Sequence, residues 1–309
     1  MACKSASELE RTVNAARECI QYGNVAAYIP ALAKANKEDL AIALYYPDGT
    51  CNSAGDVNKR FTLQSISKVI SLALALMEHG ENYVFSKVGM EPTGDPFHSI
   101  AKLETTVPSK PLNPMINAGA LAVTNMISGS TASEQINNFI SFVRKLTGDD
   151  HISFSSEVAD SEFHTAYLNR SLGYYMKEHG IINGDIEQLL DVYTKQCAIN
   201  INCTELAKIA LVFAFDGTNP CTGERIIPAR IARICKTFMV TCGMYNASGE
   251  FAIKIGLPAK SGVSGGILAV LPNKFGIGIY GPSLDDKGNS IAGLKMLEIL
   301  SSTFKLSIF

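Results

Sequence analysis

The sequence lacks the features that mark proteins of nucleic acids and membranes. Its 27 Lys and Arg residues nearly balance its 29 Asp and Glu residues, and it contains no run of basic residues. That balance provides no electrostatic footprint for nucleic acid or an anionic membrane. Its longest strongly apolar stretches, residues 69–77 and 267–271, are far shorter than a membrane span. The first 20 residues contain no apolar signal-peptide core, so we expect a cytoplasmic protein with no nucleic-acid or membrane partner.

Close pairs of cysteine and histidine are also lacking. The eight cysteines include no CxxC pair, and the five histidines show neither an HExxH motif nor another close pair. Scattered cysteines in a long chain without an export signal are typical of free thiols. Closely spaced His or Cys ligands are what a zinc site needs. We therefore expect free thiols, no metal and no cofactor.

Apolar residues are abundant, at 47% of the 309 residues, and their periodicity changes along the chain. A helical pattern begins at Ser7, and residues 39–46 then alternate ahead of a Pro-Asp-Gly turn, which predicts a β-hairpin. Residues 114–240 show helical patterns almost throughout. Strand patterns return at three segments, followed by a closing helix over about 290–304; the three segments are 251–257, 265–271 and 274–281.

These patterns predict an α/β chain of the α+β type. Strands at both ends and helices between them indicate one antiparallel sheet of about five strands, flanked by helices, with an inserted all-helical lobe. We expect the sheet lobe to comprise about residues 1–64 and 241–309, and the helical lobe about residues 65–240. The 309 residues would form a single unit.

A GxGxxG pattern occurs at Gly276, Gly278 and Gly281. In a dinucleotide-binding protein such a run connects a strand to the start of a helix. Here the run lies within a strand pattern and leads into Pro282. We therefore expect these glycines to allow close strand packing and not to bind a dinucleotide.

The segment Ser65-Ile66-Ser67-Lys68 matches SxxK, in which the serine attacks a carbonyl and the lysine handles its proton. Positions i and i+3 share a helix face, so the two side chains can meet. Unpaired N–H groups at a helix start favour negative charge near Ser65. Burial in an apolar helix, predicted to run from 65 to a stop at Gly80, would lower the pKa of Lys68 and let it act as a base.

A second motif, Lys260-Ser261-Gly262, resembles the KTG element that lies on a strand beside the active site of the same enzymes. The small residues that follow, 263–266 (VSGG), would let backbone N–H groups approach a substrate oxygen. Either motif alone is weak. Together, on either side of a helical insertion, they resemble the serine-dependent superfamily of penicillin-binding proteins and β-lactamases, which implies a β-lactamase/transpeptidase-like fold.

Longer segments resemble the glutaminase family within that superfamily, over about residues 23–308. The matching segments occur in one order: YIPALAK (28–34), FTLQSISK (61–68), NPMINAGA (113–120), Ser161-Glu162, CGMY (242–245) and GLPAKSGVSGGI (256–267). The resemblance implies a bacterial-type glutaminase that converts L-glutamine to L-glutamate and ammonia. It also implies a homodimer or homotetramer.

The same resemblance implies the roles of individual residues. Ser65 would be the nucleophile, Lys68 its base, and Tyr245 would assist proton transfer to or from the leaving ammonia. The backbone N–H groups of Ser65 and Val263 would form the oxyanion hole. The substrate pocket would be lined by groups that suit a zwitterionic amino acid: Tyr28, Ser65, Asn117, Glu162, Asn169, Tyr193, Tyr245 and Val263.

Two alternatives use the same motifs. A β-lactamase, peptidase or esterase would apply the machinery to another acyl group, although Glu162 and Asn169 favour a free amino acid. A non-catalytic sensor would bind a ligand or become acylated without turnover, which the combination of Ser65, Lys68 and Tyr245 disfavours. Steady-state release of ammonia from glutamine separates a glutaminase from both.

Overall fold

The computed structural model describes residues 6–96, 98–105 and 110–309. Over those ranges the chain forms eight strands: β1 Ala41–Tyr45, β2 Cys51–Gly55, β3 Phe61–Thr62, β4 Ser153–Phe154, β5 Ile199–Ile201, β6 Ala259–Ser261, β7 Gly266–Leu271 and β8 Phe275–Tyr280.

The same ranges contain twelve α-helices: α1 Ala6–Arg17, α2 Ser67–Lys87, α3 Ala101–Thr105, α4 Asn117–Thr124, α5 Ala132–Thr147, α6 Ser156–Thr165, α7 Tyr167–Glu178, α8 Ile186–Cys197, α9 Cys203–Ala214, α10 Ala229–Cys242, α11 Ser248–Lys254 and α12 Ile291–Phe304. Two short 3-10 helices, Gln64–Ile66 and Tyr245–Ala247, precede α2 and α11. Among the described helices, none has both the length and the apolar character to cross a membrane.

Five strands form one antiparallel sheet in the order β2-β1-β8-β7-β6. The β1–β2 hairpin turns at residues 47–49, where Gly49 takes a φ of +82° that suits glycine. Strand β1 also pairs with β8, with Ala43 opposite Gly278, so the two ends of the chain lie side by side. This confirms the prediction of a five-stranded antiparallel sheet built from both termini.

Alternate residues of the sheet face two different apolar layers. Leu40, Ile42 and Leu44 pack on one face with α1 and α12. Ala41 and Ala43 point the other way, into a larger core shared with α2, α9 and α10. This follows from the two-residue period of a strand, which sends neighbouring side chains to opposite faces. The helices of the middle segment therefore cover one face of the sheet.

The glycines of β8 allow a helix to approach the sheet closely. A Cβ atom on Gly276 would lie 2.1 Å from the Ala207 carbonyl oxygen, and one on Gly278 would lie 2.1 Å from the Cys203 carbonyl oxygen. Both oxygens belong to α9, which rests directly on the strand. The expected close packing is present, but its partner is a helix backbone and not another strand.

The strand predicted over residues 251–257 is wrong, because this segment contains helix α11. Phe251 and Ile255 are buried together in the sheet core, whereas Ile253 between them is 88% exposed. That spacing matches one face of a helix, not the two-residue period of a strand. The edge strand of the sheet lies farther along the chain, at β6, and it contains Lys260 and Ser261.

A second, small sheet gives the middle segment a framework that its sequence pattern does not indicate. Its strands have the order β3-β5-β4. Phe61 in β3 lies opposite Ile201 in β5, and the Leu63 N–H donates a hydrogen bond to the Ile199 carbonyl at 2.8 Å. The residues immediately before Ser65 are therefore fixed by pairing with a strand from the far end of the helical segment.

Candidate active site

A cavity of about 330 Å³ lies where the main sheet meets the helical segment. It is bordered by side chains from the N-terminal loop, the start of α2, four helices of the middle segment and the β6–β7 turn. Seven of the nine residues predicted from the sequence line it: Tyr28, Ser65, Asn117, Glu162, Asn169, Tyr193 and Val263. The remaining two, Lys68 and Tyr245, lie behind this surface.

Ser65 lies in the 3-10 helix Gln64–Ile66, just before α2 begins at Ser67. The expected helix start is thus a tighter turn. Gln64 has a φ of +47°, a region that a non-glycine residue adopts only at a cost in free energy. This strained turn, anchored by the small sheet, leaves Ser65 only 8% exposed on the cavity wall.

Lys68 lies in the first turn of α2 and is fully buried. Its Nζ donates hydrogen bonds to the Met115 carbonyl at 3.1 Å and to Asn117 Oδ1 at 2.7 Å. Burial lowers the pKa of Lys68 to about 8, although Cys197 and Glu162 act in the opposite direction. A lysine in this environment has a much larger neutral fraction near pH 7 than an exposed one, which suits a base.

The sequence predicts that the helix containing Lys68 stops at Gly80. Gly80 does leave the helical conformation, with a φ of +76°, but the helix resumes after it and ends at Lys87.

Tyr245 is the buried first residue of its 3-10 helix and has a φ of +52°. Its hydroxyl donates a hydrogen bond to the Ser261 carbonyl at 3.2 Å. It also forms a hydrogen bond with the Ser65 side chain. Burial raises the pKa of Tyr245 well above its usual value, so the phenol holds its proton across the physiological range. The structure thus brings this residue from 180 positions farther along the chain to within hydrogen-bond reach of Ser65.

Two asparagines connect Lys68 to the middle helices. The Asn117 amide nitrogen donates to Asn169 Oδ1 at 3.0 Å, while its oxygen accepts from Lys68. Asn117 is the first residue of α4 and Asn169 lies in α7. This chain of hydrogen bonds fixes the orientation of both amides at the cavity wall.

Glu162 supplies a buried carboxylate from α6. Burial raises the pKa of Glu162 to about 7, against the effects of a hydrogen bond from Gln64 and of the nearby Lys68. Within the described part of the chain, its Oε2 atom accepts no hydrogen bond. A buried oxygen in this state favours a positively charged, hydrogen-bonding ligand in the cavity.

The two predicted pocket tyrosines differ in exposure. Tyr193 in α8 is 2% exposed and shares a hydrogen bond with the Cys197 thiol, which also borders the cavity. Tyr28 is 59% exposed and lies at the mouth. One tyrosine therefore shapes the cavity floor, and the other covers its entrance.

Val263 lies in the turn between β6 and β7, across the cavity from α2. A Cβ atom on Gly262 would lie 2.6 Å from the Leu63 carbonyl oxygen, so this turn packs against the segment that carries Ser65. The Val263 N–H donates no hydrogen bond to any residue in the described ranges. A backbone N–H of this kind can stabilise a developing oxyanion.

Sequence reasoning gave no role to three further residues of the site. Gln64 binds Glu162, Cys197 borders the cavity, and Lys260 is a fully buried lysine beside Tyr245. The KSG motif identifies Lys260 but does not indicate that its side chain is buried against a tyrosine. The motif FTLQSISK contains Gln64, but only the positive φ of that residue shows its importance.

The fold and the site together define a class of protein, a hydrolase on the β-lactamase-like fold. The Ser65 hydroxyl contacts a tyrosine and lies one turn from a buried lysine, near a backbone N–H that has no acceptor in the described residues. Such a group can attack a carbonyl and stabilise the oxyanion that forms.

Comparison with known proteins gives the particular family. The family model for glutaminase matches residues 23–309. The glutaminase of Shouchella clausii is 62% identical over 309 residues and 100% of both chains, and glutaminase 2 of Bacillus subtilis shows the same identity and coverage. A solved covalent complex between a Bacillus subtilis glutaminase and 5-oxo-L-norleucine, formed by reaction with 6-diazo-5-oxo-L-norleucine, has 42% identity and a TM-score of 0.89. The structural match covers 98% of this chain and 99% of the chain in that complex.

The chain belongs to the glutaminase family. Its substrate class is therefore glutamine.

Proposed function

We propose that this glutaminase hydrolyses L-glutamine to L-glutamate and ammonia through a covalent γ-glutamyl ester on Ser65, with Lys68 as the base. The observation that carries the proposal is the convergence of Ser65, Lys68 and Tyr245 at one buried cavity wall. The covalent adduct of a Bacillus subtilis glutaminase with a norleucine derivative supports a nucleophilic residue in that relative.

The cavity groups suit both charged ends of glutamine. The Glu162 carboxylate binds the substrate ammonium through Oε2, which has no hydrogen bond within the described chain. Asn117 and Asn169 provide amide groups and Tyr193 a hydroxyl group for the substrate carboxylate. An analogue that lacks either charged group leaves a buried partner unpaired, at a cost of about 1 to 3 kcal/mol.

Acylation begins when Lys68 in its neutral form takes the proton of the Ser65 hydroxyl. The serine oxygen forms a bond to the side-chain amide carbon, and the N–H groups of Ser65 and Val263 stabilise the oxyanion. When the tetrahedral intermediate collapses, the C–N bond breaks and Tyr245 gives its proton to the leaving nitrogen. The proton on Lys68 then restores the phenol, so that ammonia leaves and the ester remains.

Deacylation follows the reverse order with water in place of ammonia. Water gives a proton to the base and attacks the ester carbonyl, and the oxyanion again lies at the two N–H groups. The bond to Ser65 breaks, the serine oxygen recovers its proton, and L-glutamate is released.

Replacement of the nucleophile tests the proposal. The Ser65→Ala variant should release no ammonia from glutamine above background in a steady-state assay. Ser71→Ala is the matched control, because Ser71 lies in the adjoining helix α2 with its hydroxyl bonded to the Lys68 carbonyl and does not line this cavity. Near-normal turnover by Ser65→Ala would exclude the covalent mechanism. Parallel assays with a chromogenic β-lactam and a γ-glutamyl ester would show whether another acyl group is preferred.

We also propose that the enzyme is a cytoplasmic homodimer or homotetramer. The seven cysteines in the described ranges are free thiols, which favours a reducing compartment; Cys3 lies outside those ranges. The division into a sheet lobe (1–64 and 241–309) and a helical lobe (65–240) is likewise a proposal, supported by the cavity at their boundary. Light scattering coupled to size-exclusion chromatography measures the number of subunits.

A further inference from the structure

Lys260 is a second buried lysine at the site, and the mechanism above gives it no role. It lies on β6, and its side chain is fully buried. Its Nζ lies 4.4 Å from the centre of the Tyr245 ring. Burial of an amine costs free energy unless nearby groups compensate, and an apolar side chain of similar size would fill the same volume without that cost.

Lys260 and Tyr245 share one hydrogen-bond acceptor. The Lys260 Nζ donates to the Ser261 carbonyl at 2.7 Å, and the Tyr245 hydroxyl donates to the same oxygen at 3.2 Å. A carbonyl oxygen has two lone pairs and can accept both. The Tyr245 hydroxyl also reaches the Ser65 side chain. The lysine and the proposed nucleophile are therefore linked through the phenol.

The backbone on both sides of this contact is held rigidly. The Ser261 N–H donates to the Gly243 carbonyl at 3.1 Å, which ties β6 to the turn before Tyr245. A Cβ atom on Gly243 would lie 1.8 Å from the Ala259 carbonyl oxygen, so the two segments are in direct backbone contact. The backbone that carries Lys260 is therefore held in place next to the backbone that carries Tyr245, with the Lys260 amine against the aromatic ring.

We propose that Lys260 is a positioning residue that acts through Tyr245. Its amine donates to the Ser261 carbonyl that also accepts from Tyr245, and so holds the phenol against Ser65 as Tyr245 gives its proton to the leaving nitrogen. In that step the phenol O–H bond breaks and its electron pair stays on oxygen. The proton forms an N–H bond while the C–N bond breaks. The inference rests on the proposed function, in which Tyr245 is the acid.

Other charged and titratable groups also face this pair. Cys197 and Asp285 face the phenol and raise the pKa of Tyr245, and Tyr28 interacts with it from the cavity mouth. Burial lowers the pKa of Lys260, Lys68 lowers it further, and Cys242 opposes both effects. Of these groups, Lys260 is the one whose amine lies over the ring of Tyr245.

The test uses substrates whose leaving groups differ in their need for a proton. Ammonia must be protonated as it leaves glutamine, whereas 4-nitrophenolate leaves a γ-glutamyl ester without a proton. Lys260→Met preserves the length and the apolar stem of the side chain but removes the amine. We expect it to lower kcat for glutamine by at least about tenfold, with KM within about threefold. The 4-nitrophenol burst rate should remain within about threefold of wild type.

Two further variants make the test specific. Lys274→Met is the control, since Lys274 is an exposed lysine in the β7–β8 turn, and both substrates should react with it as with wild type. If Lys260 acts through Tyr245, the double variant Lys260→Met/Tyr245→Phe should turn glutamine over no more slowly than Tyr245→Phe alone. Lys260→Arg, which retains N–H donors at the end of a long side chain, should recover part of the lost kcat.

Three outcomes would overturn the inference. They are an unchanged kcat of Lys260→Met on glutamine, an equal loss on amide and ester, and additive losses in the double variant. Should Lys260→Met not fold, judged by its melting temperature and circular dichroism, Lys260→Gln is measured in its place with the same criteria. Turnover by Ser65→Ala would reject the proposed function itself, whereas an inactive Ser65→Ala beside a fully active Lys260→Met would reject only the role of Lys260.

Discussion

Replacement of Glu162 by glutamine should change the pH dependence of glutamine use more than the chemical step. Burial raises the pKa of this carboxyl from 4.5 to about 7, while Gln64 and Lys68 act to lower it. Below about pH 7 the free enzyme therefore presents a neutral acid where the substrate ammonium needs a carboxylate. Glu162→Gln keeps the shape of the side chain but can never present that charge.

The free energy involved follows from the two pKa values. The difference between 4.5 and about 7 corresponds to about 3 kcal/mol, at about 1.4 kcal/mol per pH unit. Because the pKa of Glu162 is raised in the folded state, the fold favours the protonated carboxyl. The resulting stabilisation of the fold is fully present below pH 4.5 and is lost as the pH rises through about 7. Glu162→Gln should therefore be more stable than wild type at pH 8, by up to about 3 kcal/mol, and no more stable below pH 4.5.

The kinetic assay measures kcat/KM for glutamine between about pH 5.5 and 9. In the proposed mechanism, wild-type Glu162 must be ionised and Lys68 neutral, and their pKa values are about 7 and about 8. The logarithm of kcat/KM should then rise with a slope approaching about 2 at acid pH, and with a slope of about 1 in Glu162→Gln. At pH 8 the variant should show a KM about 10- to 100-fold higher, since a charged hydrogen bond is lost.

Glu157→Gln is the matched control. Glu157 lies on the same helix, but its exposed side chain pairs with Lys34 and does not border the cavity. This variant should keep the wild-type slope and KM. The reasoning is refuted if Glu162→Gln retains the steeper acid limb, or if its KM at pH 8 equals that of wild type.

Three further substitutions give separate predictions. Lys68→Ala should lower kcat by about 100-fold or more with little change in KM, because it removes the base; a change confined to KM would contradict that role. Tyr245→Phe should show the same division between kcat and KM in the ammonia assay. Gly276→Ala should lower the free energy of unfolding by about 3 kcal/mol in urea titration, because its Cβ would lie 2.1 Å from the Ala207 carbonyl oxygen. Gly249→Ala, where a Cβ meets nothing within 4 Å, should not.

Four of the five strands of the main sheet could be predicted because they carry their own signal, whereas β6 has only three residues. Each strand of the β1–β2 hairpin has five residues, and β7 and β8 have six each, long enough for a pattern to be recognised. The turn at residues 47–49 adds a local chemical cue. The burial of Lys68 could also be inferred, since the helix that contains it is apolar on every side.

Neither the small sheet nor helix α11 could be predicted, and the reasons differ. Strands β3 and β4 have two residues each, too few to show any periodicity, and both pair with β5 through contacts between residues far apart in the sequence, such as Phe61 with Ile201. The segment FAIKIGL has alternating apolar residues over only seven positions, and such a short run fits a strand and a helix equally well. Tertiary packing of Phe251 and Ile255 decided between them.

The residues of the candidate site also fall into two groups, those that the local sequence identifies and those that it does not. Ser65 and Lys68 are identified by a motif whose spacing has a chemical reason. Asn117, Glu162 and Asn169 lie on three different helices, and nothing in their local sequence distinguishes them from solvated polar residues. Only the resemblance to glutaminases indicated them, because the contacts that unite them form in the folded chain.

The positions that violate ordinary folding preferences cluster at this cavity. In the described chain, five non-glycine residues have a positive φ; Asp216 and Asn273 tolerate that conformation, and Lys305 ends a helix. The other two are Gln64 and Tyr245, on either side of the Ser65 hydroxyl. Two fully buried lysines and a carboxylate oxygen without a hydrogen bond lie beside them. Each feature destabilises the fold, and their shared location supports the proposal that the reaction takes place there.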